Sequence, residues 1–278
     1  MITGIVTRLA VERDTEMSFF GTEEGKKWLA DALELSKSTS IPSVENLNTK
    51  PSYWFILIDA KLDTEIQLAI LETFSVGTTI PIRLVLADGW GDSSDALMAN
   101  SDAEMCDLQI RLDYDDMLHK FFIDQMQSVA SLLEENRCLI SPLNGISCDL
   151  LRHRIAQIRK KSPPFLALHR RERFRKLSIL SFEHDKWPED LVHELHTYPL
   201  WMQIITGKNI SNRFGRGWLV ESFRHLKSIN LKSWTGDSTE VFNSVSCITL
   251  RNTYEYVFEL ALTLKDGLKK LFPSRTNP

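Results

Sequence analysis

Short apolar runs alternate with segments of helical periodicity over the first part of the chain. The runs are rich in β-branched and aromatic residues, end in polar or turn residues, and cover residues 2–7, 53–58, 82–87 and 107–112. Apolar positions at helical spacing predict helices over residues 25–35 and 64–74, and Pro42 suits the first turn of another helix. This alternation predicts an α/β fold with a mostly parallel central sheet flanked by helices.

The pattern changes after Asp116. We expect a helix over residues 117–135, then a basic segment, and a short strand in the apolar run 177–182. Residues 251–272 carry apolar positions at helical spacing and predict a last long helix. Core packing is one interpretation of that helix, and a membrane-surface helix bearing Lys265, Lys269 and Lys270 is another.

Polar residues follow each of the first four predicted strands. They are Thr7 with Arg8, then Asp59, Asp88 and Asp113. In open α/β sheets ligands bind in the crevice beyond the carboxyl ends of the strands. We therefore expect these side chains to meet at one place.

The fourth run delivers an acidic string, Asp113-Tyr114-Asp115-Asp116. Strand alternation would send Asp113 and Asp115 to the same side. Like charges this close are unfavourable without a cation, and Mg²⁺ or Mn²⁺ takes one or two carboxylates together with phosphate oxygens. The competing interpretation is a solvated turn, or an acidic cap for the following helix.

Composition excludes several classes of protein. The chain has 278 residues with 43% hydrophobic and 25% charged side chains, as in soluble globular proteins, and its net charge of −4 argues against a nucleic acid partner. Its four cysteines lack zinc-like spacing and predict no disulfide framework. No leader or membrane span is visible, so we expect a soluble cytoplasmic protein, or at most a peripheral one.

Several segments resemble the rhamnosyltransferase family, which are bacterial glycosyltransferases of GT-A fold. Those early in the chain are Val6-Thr7-Arg8, residues 41–46, residues 54–59 and Arg111-Leu112-Asp113-Tyr114-Asp115-Asp116. Those later in the chain are residues 164–168, His184 and residues 201–209. The resemblance runs over most of the chain, and the last segment is its most family-specific part.

The resemblance implies a metal-dependent glycosyltransferase. It would move a hexose or deoxyhexose from a nucleotide-diphosphate sugar donor to a glycan or glycolipid acceptor, as in surface polysaccharide synthesis. Residues 1–205 would form the GT-A nucleotide-sugar-binding and catalytic domain, and residues 206–278 a donor-closing loop and helical extension. Such an enzyme would work in the cytoplasm, with peripheral contact at the inner face of the membrane as a further option.

The resemblance also implies roles for single residues. Thr7, Arg8 and Asp59 would line the nucleotide pocket, with Arg111, Asp113, Asn209 and Arg213 as further donor-binding residues. Asp115 would be the principal ligand of Mn²⁺ or Mg²⁺, with Asp113 and His184 as further ligands. Two simpler interpretations remain open: Arg8 as a surface ion-pair partner, and Asp59 as a strand-ending cap.

The catalytic base has three candidates, Glu183, His184 and Asp185. An inverting enzyme needs a carboxylate or histidine within hydrogen-bond reach of the acceptor hydroxyl. The family commonly has a carboxylate just after the Pro-Phe run, whereas this chain has His169 and then Glu172. That departure leaves the base open.

Two further features carry paired interpretations. The basic segment, residues 152–176, either meets the donor diphosphate or an anionic acceptor, or is a solvated surface. Trp187, Trp201 and Trp218 either stack on sugar rings or pack in the interior. Two other functions also remain: a sugar nucleotidyltransferase, although no glycine-rich loop follows the first run, and a non-catalytic carbohydrate-binding or scaffolding protein of GT-A fold.

Overall fold

The computed structural model describes residues 1–13, 19–150, 154–206 and 234. Within these ranges the α-helices of more than one residue are α1 (Glu23–Ser38), α2 (Ser40–Glu45), α3 (Thr64–Val76), α4 (Ser93–Ala99), α5 (Ser101–Met105) and α6 (Phe122–Ala130). The strands of the first half are β1 (Thr3–Ala10), β2 (Tyr53–Asp59), β3 (Ile82–Ala87), β4 (Leu108–Arg111) and β5 (Met117–Leu118). Those of the second half are β6 (Leu139–Pro142), β7 (Asn144–Asp149), β8 (Arg154–Arg159), β9 (Ala167–His169), β10 (Val192–Leu195) and β11 (Trp201–Ile205).

Seven strands form the main sheet, in the order β10-β6-β9-β4-β1-β2-β3. The strands β3, β2, β1 and β4 are parallel neighbours, and β10 is parallel to β6. The strand β9 is antiparallel to both of its neighbours, β4 and β6. The prediction of an α/β fold with a mostly parallel central sheet flanked by helices is therefore confirmed.

The sheet buries both of its faces. Along β2, Trp54, Ile56 and Ile58 join the core cluster that includes residues of α1, α2, α3 and α6. Phe55 and Leu57 point the other way and join the cluster that includes Leu97 and Ala103, from α4 and α5. A strand covered on both faces needs a continuous apolar run, which the Tyr53–Asp59 sequence supplies.

The first helices begin within two residues of their predicted starts. Thr22 caps α1, since its hydroxyl accepts a hydrogen bond from the Gly25 N–H at 3.0 Å. Pro42 lies in the first turn of α2, where its missing N–H costs nothing. The helix α3 starts at Thr64, as expected, and ends two residues beyond the predicted end.

A second sheet was not predicted. It has four strands in the order β5-β11-β7-β8, and Met117 and Leu118 pair antiparallel with Met202 and Trp201. The prediction of one helix over residues 117–135 is therefore wrong at its start, because these two residues are recruited by a strand about eighty positions later. The helical part is α6, which is shorter than expected.

The predicted strand over residues 177–182 is also wrong. This run forms turns and bends, although Ile179 and Leu180 are buried. Main-chain groups here are satisfied by side chains, as when Ile179 N–H donates to Gln109 Oε1 at 3.0 Å. The predicted helix over residues 251–272 and the proposed extension over 206–278 lie outside the described residues, except for Thr206 and Trp234.

Cys106, Cys138 and Cys148 are buried free thiols, and Cys247 lies outside the described residues. Within the described ranges, no helix combines the length and apolar character needed to cross a membrane.

Candidate active site

The carboxyl ends of β1, β2 and β4 lie side by side. The strand β1 is between the other two, with Thr7 opposite Ile56 of β2 and Val6 opposite Arg111 of β4. Arg8, Asp59 and the acidic segment after β4 therefore come to the same edge of the sheet. This is the position at which open α/β sheets bind ligands.

Thr7 connects the elements of this edge. Its hydroxyl donates to the Leu112 carbonyl oxygen at 2.7 Å and accepts from the Trp54 indole N–H at 2.9 Å. The side chain is fully buried. Thr7 thus ties β1 to β2 and to the start of the acidic segment, and its predicted contact with a nucleotide stays a prediction.

Asp59 ends β2 and is buried. One carboxylate oxygen accepts a hydrogen bond from the Lys61 N–H at 2.8 Å, which is an Asx-type turn. Asp59 therefore caps the end of β2, as one of its two interpretations proposed. A ligand contact by the same carboxylate stays a prediction.

The acidic segment is a turn and not a continued strand. The strand β4 ends at Arg111, and Tyr114 and Asp115 form the turn, so strand alternation does not orient Asp113 and Asp115. The Tyr114 carbonyl oxygen accepts from the hydroxyls of Ser36 and Thr39, at 3.2 and 3.3 Å, which anchors the turn to α1.

The three carboxylates of this turn differ in burial. The Asp113 side chain is 30% exposed, whereas Asp115 is 4% exposed and Asp116 is fully buried. Asp116 Oδ1 accepts a hydrogen bond from the Ile204 N–H of β11 at 2.9 Å, and this joins the turn to the second sheet. Asp113 is therefore the most accessible of the three.

The three carboxylates also interact electrostatically. Burial raises the pKa of Asp116 well above its ordinary value, and the charges of Asp115 and Asp113 raise it further. The Ile204 N–H and Lys160 oppose this shift in the pKa of Asp116. An acidic cluster of this kind favours the arrival of a cation.

The chemistry of these three carboxylates fits a hard divalent metal ion. Carboxylate oxygens are what Mg²⁺ and Mn²⁺ prefer, and Asp116 Oδ2 is buried with no hydrogen-bond partner among the described residues. Within the described ranges, no group of three or more His, Cys, Asp or Glu side chains is placed to hold a metal ion. Asp113, Asp115 and His184 are therefore not a preformed set of three ligands.

A cluster of three charged side chains, Arg8, Arg111 and Glu183, lies beside Asp113. Arg111 Nε is 3.5 Å from Asp113 Oδ1, and Arg111 Nη1 is 3.9 Å from Glu183 Oε2. Arg8 Nη2 reaches the same Glu183 oxygen at 3.5 Å. Burial, with the neighbouring Arg111, lowers the pKa of Arg8 to about 10, so it stays charged at neutral pH. Arg8 is thus an interior ion-pair partner and not a surface one.

Trp90 completes this group. Its indole N–H donates to Glu183 Oε1 at 2.6 Å, and the guanidinium carbon of Arg8 lies 3.4 Å from its ring centroid. Trp90 is not among the site residues predicted from the sequence. The available signal was the glycine-bearing turn after β3, where Gly89 has a φ of 95°, a conformation that favours glycine.

Glu183 is held as a carboxylate. Partial burial opposes its ionisation, but the hydrogen bond from Trp90 and the charges of Arg8 and Arg111 outweigh burial and lower the pKa of Glu183. A carboxylate stabilised in this way is a weak proton acceptor. Of the three candidate bases, Glu183 is therefore the one whose surroundings suit that role least.

His184 is oriented for use through one nitrogen. Its Nδ1 lies 3.0 Å from the Ser162 carbonyl oxygen, which favours a proton on Nδ1 and leaves Nε2 as the acceptor. Burial, with the nearby Arg111, lowers the pKa of His184, which favours the neutral ring. This arrangement suits either a general base or a metal ligand. Asp185, the third candidate, is exposed.

The basic segment does not act as one surface. Arg170 is buried and donates to five carbonyl oxygens, those of Ala103, Glu104, Cys106, Arg175 and Leu177. Arg171 likewise donates to the Leu133 carbonyl oxygen at 2.6 Å. Lys160 interacts electrostatically with Asp116 and Asp113, and its ammonium group donates to Gln203 Oε1 at 2.8 Å.

Two of the three tryptophans considered for sugar stacking lie in the interior. Trp187 and Trp201 are buried, and Trp201 stacks on Phe165 with ring centroids 4.7 Å apart. Both pack in the interior and are not available to sugar rings. Asn209, Arg213 and Trp218 lie outside the described residues.

Comparison with known proteins gives distant likenesses. No known protein-family profile matches the chain, and no curated protein matches its sequence. The chain is similar to TarS 1–349 of S. aureus, with a TM-score of 0.42 and 9% identity over 73% of this chain and 60% of that one. The same protein in complex with UDP-GlcNAc gives a TM-score of 0.39 and 9% identity, over 78% of this chain and 60% of that one.

A mycobacterial protein gives a TM-score of 0.32 and 10% identity, over 60% of this chain and 53% of that one. The chain thus spans about 60% of the length of the TarS 1–349 chain, and 37% of the longer TarS chain.

Proposed function

We propose that this protein is a metal-dependent glycosyltransferase of GT-A fold that takes its sugar from a nucleotide-diphosphate donor. The observation that carries the proposal is the meeting of Arg8, Asp59, Arg111 and the acidic turn at the carboxyl ends of three adjacent parallel strands. That edge offers carboxylates for a cation and arginines for phosphate, which are the two needs of a nucleotide diphosphate.

The topology supports the same assignment. When the strands of the main sheet are numbered within that sheet alone, their order is 3-2-1-4-6-5-7, and the sixth strand, β9, is antiparallel to its neighbours. A mostly parallel central sheet of this kind agrees with the GT-A fold that the resemblance implies. The nucleotide would lie over β1 and β2, beside Asp59, and the diphosphate over the acidic turn after β4.

Each residue then has a chemical role. Asp113 and Asp115 would hold Mn²⁺ or Mg²⁺, which when bound neutralises the diphosphate as it leaves. Arg111 orients Asp113 through their ion pair. His184, with Nδ1 held by the Ser162 carbonyl, would accept the proton of the acceptor hydroxyl at Nε2.

The acceptor side is proposed on the resemblance alone. A hexose or deoxyhexose, rhamnose among them, would pass to a glycan or glycolipid in surface polysaccharide synthesis. The enzyme would be cytoplasmic, with peripheral contact at the inner face of the membrane as a further option.

Calorimetry with UDP, GDP and dTDP tests the proposal, each with Mn²⁺ and with EDTA. We expect one nucleotide to bind with Mn²⁺ and to lose affinity by at least about tenfold in EDTA, since the cation joins carboxylates to phosphate. Asp113→Asn should remove the Mn²⁺-dependent part, whereas Glu72→Gln, at an exposed carboxylate on α3, should not.

Metal-independent binding, or none, in the unaltered protein would contradict the proposal. Absence of all nucleotide binding would favour the scaffolding alternative. Formation of a nucleotide sugar from a nucleoside triphosphate and a sugar phosphate would favour the nucleotidyltransferase.

A further inference from the structure

Two arginines share one buried position at the end of β1 and β4. The side chain of Arg8 is 6% exposed and that of Arg111 is 9% exposed. Both approach the same oxygen, Glu183 Oε2, at 3.5 and 3.9 Å. Two like charges this close need an anion between them.

The Glu183 carboxylate leaves some of the N–H donors of these two arginines without a hydrogen-bond acceptor. Arg8 Nε and Arg111 Nη1 are both buried and have no hydrogen-bond partner among the described residues. Buried guanidinium donors are normally paired, so two such donors in one place indicate a larger set of acceptors than one carboxylate supplies. Asp113, 3.5 Å from Arg111 Nε, does not reach either of these atoms in a hydrogen bond.

The donors are held in place without a ligand. Arg8 stacks on the Trp90 ring at 3.4 Å, which sets the plane of its guanidinium group, and the Trp90 indole N–H points at Glu183 Oε1. The main chain of Arg111 is fixed in β4, where its main-chain N–H donates to the Leu166 carbonyl oxygen at 2.9 Å, and its guanidinium group pairs with Asp113 at 3.5 Å. Such preorganised donors suit an oxyanion with several oxygens.

The Glu183 carboxylate, by contrast, is accessible from solvent. The Glu183 side chain is 42% exposed and comes from the irregular chain of turns and bends between β9 and β10. Removing Glu183 from the pair would expose two guanidinium groups and one indole N–H to an incoming ligand.

We propose that Arg8, Arg111 and the Trp90 indole N–H form a phosphate-binding site, and that Glu183 occupies it until a phosphoryl group displaces the carboxylate. In the donor this group would be part of the diphosphate, and that identification rests on the proposed function. Glu183 then competes with the ligand for the two arginines and takes no part in the chemical step.

Calorimetry with inorganic pyrophosphate in EDTA tests this without any metal or sugar. Glu183→Gln keeps the shape and removes the competing charge, so we expect pyrophosphate to bind about tenfold more tightly than to the unaltered protein. Arg111→Lys keeps the positive charge but loses the paired N–H donors of the guanidinium group. It should therefore weaken pyrophosphate binding in the Glu183→Gln background by about tenfold. Arg83→Lys, at a partly exposed arginine paired with Asp102, is the matched control and should change nothing.

Unchanged or weaker pyrophosphate binding in Glu183→Gln would overturn the inference, provided that the melting temperature shows a folded variant. Binding of glucuronate in place of pyrophosphate would overturn the phosphate assignment, because it points to a sugar carboxylate. These results are separate from those for the proposed function: the arginine site stands if pyrophosphate binds but no nucleotide does, and falls if Mn²⁺-dependent nucleotide binding occurs without the effect of Glu183→Gln.

Discussion

Gly145 of β7 lies directly against the face of Trp201 in β11. A Cβ atom built at Gly145 would overlap the Trp201 ring, which is fully buried and stacked on Phe165. The Trp201 indole N–H also donates to the Pro142 carbonyl oxygen at 2.7 Å, so the ring cannot turn away. The position of Trp201, whose hydrogen bond to Pro142 links the second sheet to β6 of the main sheet, thus depends on the absence of a side chain at Gly145.

Gly145→Ala should destabilise the protein by about 1–3 kcal/mol, because the ring or the strand must move to admit a methyl group. Urea unfolding of the purified variant measures this. Gly91→Ala is the matched control, since a Cβ at Gly91 meets nothing within 4 Å. Equal stability of the two variants would show that Trp201 is not packed as described.

His119 should make stability depend on pH. It packs against Tyr198 and Trp234, each with a centroid distance of 5.2 Å, and burial, with Lys120 nearby, lowers its pKa to about 4. Because this folded pKa is below that of the unfolded chain, neutral His119 contributes stability that is present above about pH 6.5 and is lost as the pH falls through about 4.

Urea unfolding at pH 7.5, 6 and 5 should therefore show the unaltered protein losing about 1 kcal/mol relative to His119→Gln, a figure reduced because the ring is partly exposed. The difference between the two proteins at pH 7.5 measures lost packing alone. A difference that stays constant down to pH 5 would contradict the assigned pKa shift.

His184 should matter in the chemical step. If its Nε2 accepts the acceptor's proton, His184→Gln should lower kcat by about 10²–10⁴-fold and leave the donor KM nearly unchanged. Initial rates of sugar transfer measure this once the donor is known. Asp185→Asn is the comparison, because it alters the neighbouring exposed carboxylate. A large loss of kcat in Asp185→Asn with little loss in His184→Gln would move the base to Asp185.

Local pattern was sufficient for the first half of the fold. The strands β1 to β4 and the helices α1 and α3 lie where apolar runs and helical spacing predict them, within a few residues. Their signals are local, since a buried parallel strand needs an apolar run and a helix needs its own periodicity and cap. The convergence of Arg8, Asp59 and Asp113 follows from the parallel order of those strands.

Long-range pairing decided what local pattern did not. Met117 and Leu118 have helix-compatible neighbours but are strand residues, because β11 offers them partners across more than eighty positions. The basic segment became strands and buried donors for the same reason: Arg170 finds its carbonyl partners around α5 and in the turns after β9. Spacing along the chain carries no signal for such pairs.

By itself the sequence determined the α/β class, the order of its first elements and which polar side chains follow which strands, because each of these depends on neighbours within a few residues. Only the tertiary structure decided that Asp113 and Asp115 sit in a turn, that Glu183 bridges two arginines, and that Trp90 supports one of them. The reason is that charge and hydrogen-bond partners are chosen by distance in space, and Arg8 and Glu183 are 175 positions apart in the chain.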